Sequence, residues 1–208
     1  MTTFRSILIV GAGNMGGAML AGWLASGLKP ESFTIVDPRL EAAPAGVALL
    51  RELPGEGAFD AILLGVKPQM LGDLAPSLEA LAGPGTVLLS ILAGVELATL
   101  AQQFPRAACR VRIMPNLAAA IGKSPIALAA DRASGAAREA IDALMAPLGT
   151  AEWLEHEGLM DLVTALAGSG PAFVYRFIDA LSQGAAALGL PPEQAGRLAL
   201  SMVEGAAL

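Results

Sequence analysis

The strongest constraint on this chain is the run Ile7-Leu8-Ile9-Val10-Gly11-Ala12-Gly13-Asn14-Met15-Gly16, in which four apolar, mostly β-branched residues lead into Gly-x-Gly-x-x-Gly. Such a run describes a buried strand that turns sharply into a helix. Gly11 permits the tight turn, Gly13 removes a side chain that would hold a pyrophosphate away from the backbone, and Gly16 lets the helix pack close to its strand. Asn14 and Met15 open the helix, whose N-terminus offers free N–H groups and a partial positive charge to phosphates. Phe33-Thr34-Ile35-Val36 reads as a second strand ending in Asp37, about 20 residues past Gly16, where a ribose-binding acid belongs. Strand, glycines, helix and acid together predict a dinucleotide site rather than an ordinary glycine turn.

Composition narrows the class. The 208 residues are 54% hydrophobic and only 15% charged, with much of the apolar share contributed by alanine. Closely packed helices, with some apolar surface covered by a partner subunit, suit such a chain. A net charge of -6 argues against a nucleic-acid partner, which calls for a basic face. No apolar run approaches the roughly 18 residues of a membrane span, so no membrane association is expected. The short apolar segment after Arg5 continues into Gly11 as fold and is not a signal peptide. The single cysteine, Cys109, has no partner for an internal disulfide, and the expected location is cytoplasmic.

Further along, strands are expected at residues 60–66, 86–90, 109–114 and 124–130, and helices at 40–50, 69–81 and 95–104, with another from an N-cap at Ser134 to Met145. This alternation predicts a Rossmann-type, doubly wound, mainly parallel sheet with right-handed crossovers, an α/β class. Ligands bind at the carboxyl ends of such strands. That rule brings Gly11, Gly13, Gly16 and Asp37 to one edge with Val66, Lys67, Pro68, Ala93, Gly94, Met114, Pro115 and Asn116. Near Thr150 the pattern becomes almost wholly helical: residues 157–167, then a helix capped by Gly170 with Pro171 as its first residue, then a third from Pro191-Pro192. Val174, Phe177, Ile178, Leu181, Ala185 and Leu188 form a stripe at helical spacing on the second of these. The expected division is a dinucleotide-binding domain at residues 1–153 and an all-helical dimerisation and substrate domain at 154–208. Three helices of this size are marginal alone, so a second copy is expected against them.

The chain resembles the pyrroline-5-carboxylate reductases. The carrying residues are the glycine block at 11–19, Val66-Lys67-Pro68-Gln69, Ser90-Ile91-Leu92-Ala93-Gly94-Val95, Arg112-Ile113-Met114-Pro115-Asn116 and, most specifically, Thr164-Ala165-Leu166-Ala167-Gly168-Ser169-Gly170-Pro171-Ala172. The resemblance implies reduction of 1-pyrroline-5-carboxylate to L-proline, the last step of proline biosynthesis, with hydride passing from NADPH or NADH to the ring C=N. It implies a homodimer or higher homo-oligomer through interlocking helical domains, and a catalytic or substrate role for Thr164, Ser169 and Gly170. Ala167 replaces the usual serine of the last motif, Leu117-Ala118 replaces Thr-Pro, and the family's later Ser-Pro-Gly-Gly-Thr segment is absent, so the helical domain is expected to be truncated. Two alternatives stay open: a non-catalytic dinucleotide-binding module, and a reductase of another cyclic imine.

The residues themselves favour an imine. Carbonyl reduction usually calls for a positioned acid, yet the lysines are Lys29, Lys67 and Lys123, so the helical region has none, and the only histidine is His156. An imine can be protonated before hydride arrives, leaving positioning to carry most of the rate. Ser169 is read as facing the nicotinamide or the substrate carboxylate, Lys67-Pro68 as touching cofactor, and Asn116 as bonding the nicotinamide ribose or amide, narrowly ahead of capping a turn. His156 reads as a solvated loop residue, Cys109 as buried packing, and no metal constellation is expected. Asp37 suits the ribose hydroxyls of NAD, while Arg39 could neutralise the 2′-phosphate of NADP. NAD use is expected to be at least comparable to NADP use.

Overall fold

The computed structural model describes residues 4–133 and 135–207; the helix cap expected at Ser134 lies outside them. The chain divides into two compact units, Met1–Val163 and Thr164–Leu208.

In the first unit, the described residues form one sheet of eight strands: β1 (Ile7–Val10), β2 (Phe33–Val36), β3 (Ala48–Leu50), β4 (Ala61–Leu64), β5 (Val87–Ser90), β6 (Cys109–Met114), β7 (Ser124–Ala130) and β8 (Gly149–Trp153). Their spatial order is β3-β2-β1-β4-β5-β6-β7-β8, parallel throughout except where β7 runs against β6. The centre of the sheet is buried on both faces, which is why β1 and β4 read as unbroken apolar runs. Alternate residues serve opposite layers. Ile7, Ile9 and Leu63 meet α1 (Asn14–Ala25) through Met19 and Trp23. On the other face Leu8, Val10, Ile62 and Leu64 meet α2 (Leu71–Glu79) and α3 (Leu97–Gln103) through Leu71, Leu78 and Leu100. The α4 helix (Gly135–Met145) shares the α1 layer: Trp23 stacks on Phe33 at 5.5 Å and donates from Nε1 to the Leu144 carbonyl at 2.7 Å. Each fully buried aliphatic side chain contributes roughly 1.5–3 kcal/mol.

Three expected elements are corrected, apart from the helix cap described below. Residues 40–50 are not a helix: Pro44 and the left-handed Gly46 (φ 84°) interrupt the alanines, and Ala48–Leu50 adds to β2 as a parallel edge strand. A strand, β8, occupies Gly149–Trp153, where half-exposed alternation on an edge left no apolar run to read. Residues 157–167 are not one regular helix. A 3₁₀ turn at Glu157–Leu159 leads into α5 (Met160–Val163), and Thr164–Gly168 winds wider.

In the second unit, that wide turn is closed by the Ser169 N–H donating to the Thr164 carbonyl at 3.0 Å. The α6 helix (Gly170–Ala187) begins one residue earlier than expected, so Ser169 and not Gly170 is its cap. It packs on α7 (Pro192–Ala206), whose Ala195 and Ala199 are buried, yet no residue of α6 is buried. Of the stripe expected from the sequence, Val174, Phe177, Leu181 and Leu188 are exposed while Ile178 and Ala185 are half-buried, and beside it Phe173 and Tyr175 are about 70% exposed, so much of this apolar surface is uncovered in the single chain. No helix among the described residues is long and apolar enough to cross a membrane.

At the far end of β6 from the glycine turn, the Arg110 guanidinium is buried. It donates from Nε to Asp131 Oδ2 at 2.7 Å and from Nη1 to the Phe104 and Ala107 carbonyls at 2.9 and 3.2 Å. Beside it, burial and the Asp131 charge push the Cys109 thiol up to about 11, as suits a packing residue. Replacing Arg110 strands an acid and two carbonyls at once. Arg110→Met is expected to lower unfolding free energy by about 3 kcal/mol, with partial recovery in the double variant Arg110→Met/Asp131→Asn; denaturant titration of both measures it.

Candidate functional site

Strand register builds the site. Leu50 pairs with Val36, Val36 with Val10, Val10 with Leu64 and Leu64 with Ser90, so the next residues, Arg51, Asp37, Gly11, Gly65 and Ile91, form a row along the carboxyl edge of five strands. The ladder runs into that row. Asp37 N–H donates to Leu50 O (3.1 Å), Gly11 N–H to Val36 O (2.9 Å), Gly65 N–H to Val10 O (2.8 Å) and Ile91 N–H to Leu64 O (3.1 Å). The chain leaves β1 toward β2 on one side and returns from β3 to β4 on the other, which makes this the switch point at which open α/β sheets bind ligands.

The backbone turns at Gly11 with φ 89°, which an L side chain rarely adopts. Close approach is equally restrictive. A Cβ on Gly65 would lie 2.4 Å from the Gly11 carbonyl oxygen, and one on Gly16 would lie 2.6 Å from the same atom. A Cβ on Gly13 would meet no protein atom within 4 Å. The three motif glycines therefore differ: two make room for protein and one leaves room for something else. Helix α1 opens without a side-chain cap, its first bond running from Gly17 N–H to the Gly13 carbonyl at 2.7 Å. The N–H groups of its first turn have no intrahelical partner, a binding surface for an anion.

A cavity of about 760 Å³ lies beside this edge, lined among others by Gly11, Gly13, Asp37, Arg39, Val66 and Lys67. Asp37 is 9% exposed. Its Oδ2 accepts the Ala12 N–H of the glycine turn at 3.1 Å and its Oδ1 accepts the Arg39 N–H at 2.9 Å. These bonds fix the carboxylate on the cavity wall and leave further acceptor capacity on each oxygen. The walls also include Arg51, Leu53, Pro54, Met70, Leu74 and Ser77, none of which the sequence reading marked as functional. Leu53-Pro54-Gly55 carry in the sequence only the turn signature of Pro-Gly; what brings them to Asp37 is the three-residue strand β3. The mostly apolar walls, a few placed polar groups and open helix end suit the adenosine and pyrophosphate portion of a dinucleotide.

The remaining marked residues lie apart from the cavity lining. Asn14, Met15 and Gly16 form the first turn of α1, and Pro68 follows Lys67 into a 3₁₀ turn, Pro68–Met70. Ala93 and Gly94 (φ 72°) follow β5, while Met114 ends β6 before Pro115 and Asn116. Asn116 Oδ1 accepts the Ala118 N–H at 3.0 Å, so its amide caps a turn, and its own N–H donates to Ser124 Oγ at 2.9 Å. Thr164, Ser169 and Gly170 belong to the second unit, gathered by the wide turn and the exposed start of α6. His156 is an exposed loop residue, and the described residues contain no cluster of three or more potential metal ligands.

Comparison with known proteins covers both units. A family profile described as pyrroline-5-carboxylate reductase dimerisation matches residues 157–208, and one described as NADP oxidoreductase coenzyme F420-dependent matches residues 6–94. The chain is 34% identical to the pyrroline-5-carboxylate reductase of Pseudomonas aeruginosa over 214 aligned residues, covering 100% of this chain and 78% of the relative. Against pyrroline-5-carboxylate reductase 2 of Bacillus subtilis it is 36% identical, covering 97% and 75%. The solved pyrroline-5-carboxylate reductase of Coxiella burnetii superposes with a TM-score of 0.87 at 25% identity, covering 99% of this chain and 79% of that one. The Plasmodium falciparum enzyme, solved with NADP bound, shares the fold at a TM-score of 0.83 and 21% identity, covering 98% and 77%.

The glycine geometry separates folding from binding. Gly65→Ala is expected to cost about 1–3 kcal/mol of stability by forcing the strand ends apart. Gly13→Val should leave thermal unfolding nearly unchanged while weakening dinucleotide binding about tenfold or more. Thermal melts with and without dinucleotide, run on both variants, check the contrast.

Proposed function

Because the chain belongs to the pyrroline-5-carboxylate reductase family, we infer that it reduces 1-pyrroline-5-carboxylate to L-proline with NAD(P)H, the last step of proline biosynthesis. The observation that carries this reading is the 34% identity to a reductase along the entire chain, glycine turn and Thr164–Gly170 segment included. The cofactor, when bound, supplies hydride to the ring C=N. Gly11, Gly13 and the first turn of α1, with Asn14, Met15 and Gly16, hold its pyrophosphate; Asp37 holds the adenosine ribose, with Arg39 beside it. Val66, Lys67 and Pro68 line its path, and Ala93, Gly94, Met114, Pro115 and Asn116 serve the nicotinamide half.

We assign the substrate carboxylate to Thr164, Ser169 and Gly170, where the Ser169 hydroxyl and the N–H groups at the start of α6 can donate to an anion. Their task is orientation. A pre-protonated imine needs no acid from the protein, in keeping with a stretch from Thr164 to Leu208 that contains neither lysine nor histidine. The functional division we adopt is a dinucleotide-binding domain at 1–153 and a dimerisation and substrate domain at 154–208. The profile match from residue 157 and the exposed aromatics of α6 support it, and a homodimer or higher homo-oligomer through these helices follows. The reading gives no role to nucleic acid or membrane. A cytoplasmic site is in keeping with a lone, buried cysteine.

Two measurements test this reading. Nicotinamide oxidation by the purified chain should depend on 1-pyrroline-5-carboxylate, and Ser169→Ala should lower kcat/KM for that substrate about tenfold while leaving the Kd for NADPH unchanged. Cofactor binding without turnover in wild-type protein would instead favour the non-catalytic module. We further propose that NADH serves at least as well as NADPH, because Asp37 accepts ribose hydroxyls and repels a 2′-phosphate. Asp37→Asn is then expected to shift the ratio of efficiencies toward NADPH by about tenfold; an unchanged ratio would count against the role given to Asp37.

A further inference from the structure

Among the described cations that line the cavity, Arg51 is the one whose side chain is held by several backbone carbonyls. Immediately after β3, its Nη1 donates to the carbonyl of Asp37 at 3.3 Å and to that of Leu40, and its Nη2 donates to the carbonyl of Glu41 at 3.2 Å. A guanidinium has five N–H donors, and these contacts use three. The Nε–H and one Nη2–H remain, the pair that forms a side-on fork for two oxygens of one phosphate. Arg39, on the same wall, donates only its backbone N–H, to Asp37. Among the described residues its exposed side chain has no hydrogen-bond partner and so loses rotamer freedom on ordering, whereas that cost at Arg51 is met by the fold.

Register fixes where this fork lies. Arg51 stands beside Asp37 in the row at the carboxyl edge, so a cation held by the main chain adjoins the acid assigned to the ribose. Asp37 would by itself exclude a 2′-phosphate. We propose that Arg51, more than Arg39, determines whether this cavity admits a 2′-phosphate: its free fork pairs with the phosphate and offsets the Asp37 charge. This rests on the dinucleotide reading above.

The test uses 2′,5′-ADP and ADP, of which only the first carries a 2′-phosphate, titrated calorimetrically into wild type, Arg51→Met, Arg51→Lys and Arg39→Met. Arg51→Met should weaken 2′,5′-ADP at least tenfold while changing ADP less than twofold. Arg51→Lys should fall between, having charge without the fork, and Arg39→Met should lose less than Arg51→Met. Equal loss for both ligands would make Arg51 a strut of the 37–41 loop and overturn the proposal, as would no loss for either, or the larger loss on Arg39→Met. Wild-type protein that binds neither ligand nor NADPH would overturn the dinucleotide reading and this inference together. ADP binding that persists without a selective effect at Arg51 would overturn this inference alone.

Discussion

Two glycines facing one another across neighbouring strands set the geometry of the ligand edge. Gly65 donates its N–H to Val10 O, and its missing side chain would stand 2.4 Å from the Gly11 carbonyl oxygen. Were either glycine to carry a Cβ, β1 and β4 would have to part just where their ladder continues beyond the strands. The same Gly11 carbonyl is what α1 approaches through Gly16. One peptide unit thus fixes the spacing of two strands and a helix. Because parallel register transmits that placement sideways, it also sets where Asp37 and Arg51 stand.

What the sequence revealed of this arrangement follows from which constraints are local. Gly11, Gly16 and Asp37 were legible because a tight turn, a close helix and a strand-end acid each demand a residue type at a fixed offset. Gly65 escaped notice as a packing partner because its demand comes from a strand some fifty positions away, as the pairing of Val10 with Leu64 indicates. Arg51 was illegible for a stronger reason: its place depends on β3, three residues whose only order is a long-range pairing with β2. Alanine-rich composition pointed those residues toward a helix, and Pro44 and Gly46, both visible in the sequence, were the signals that should have weighed more. Asn116 shows the opposite limit. Its position on the edge was correctly read, but its amide oxygen is engaged with Ala118, a local alternative that the sequence left open.

The helical unit poses a different physical problem. An α6 helix with no buried residue and aromatic side chains more than half exposed gains little order from its own chain, since most helical stability in proteins comes from packing an apolar face rather than from helix propensity. Within its own unit α7 is its main cover, through the small residues Ala195 and Ala199 among others. Small residues permit close helix contact but bury little apolar area, so most of the stabilisation available to Phe173 and Phe177 must come from another copy. Fold and function are coupled by this requirement. The segment assigned to the substrate, Thr164 to Gly170, opens the helix whose order depends on assembly, whereas the dinucleotide cavity belongs to a unit with a double-layered core of its own. Weakened assembly should therefore act first on substrate orientation and leave cofactor binding largely intact, because the groups that orient an imine sit on the less self-sufficient part of the chain.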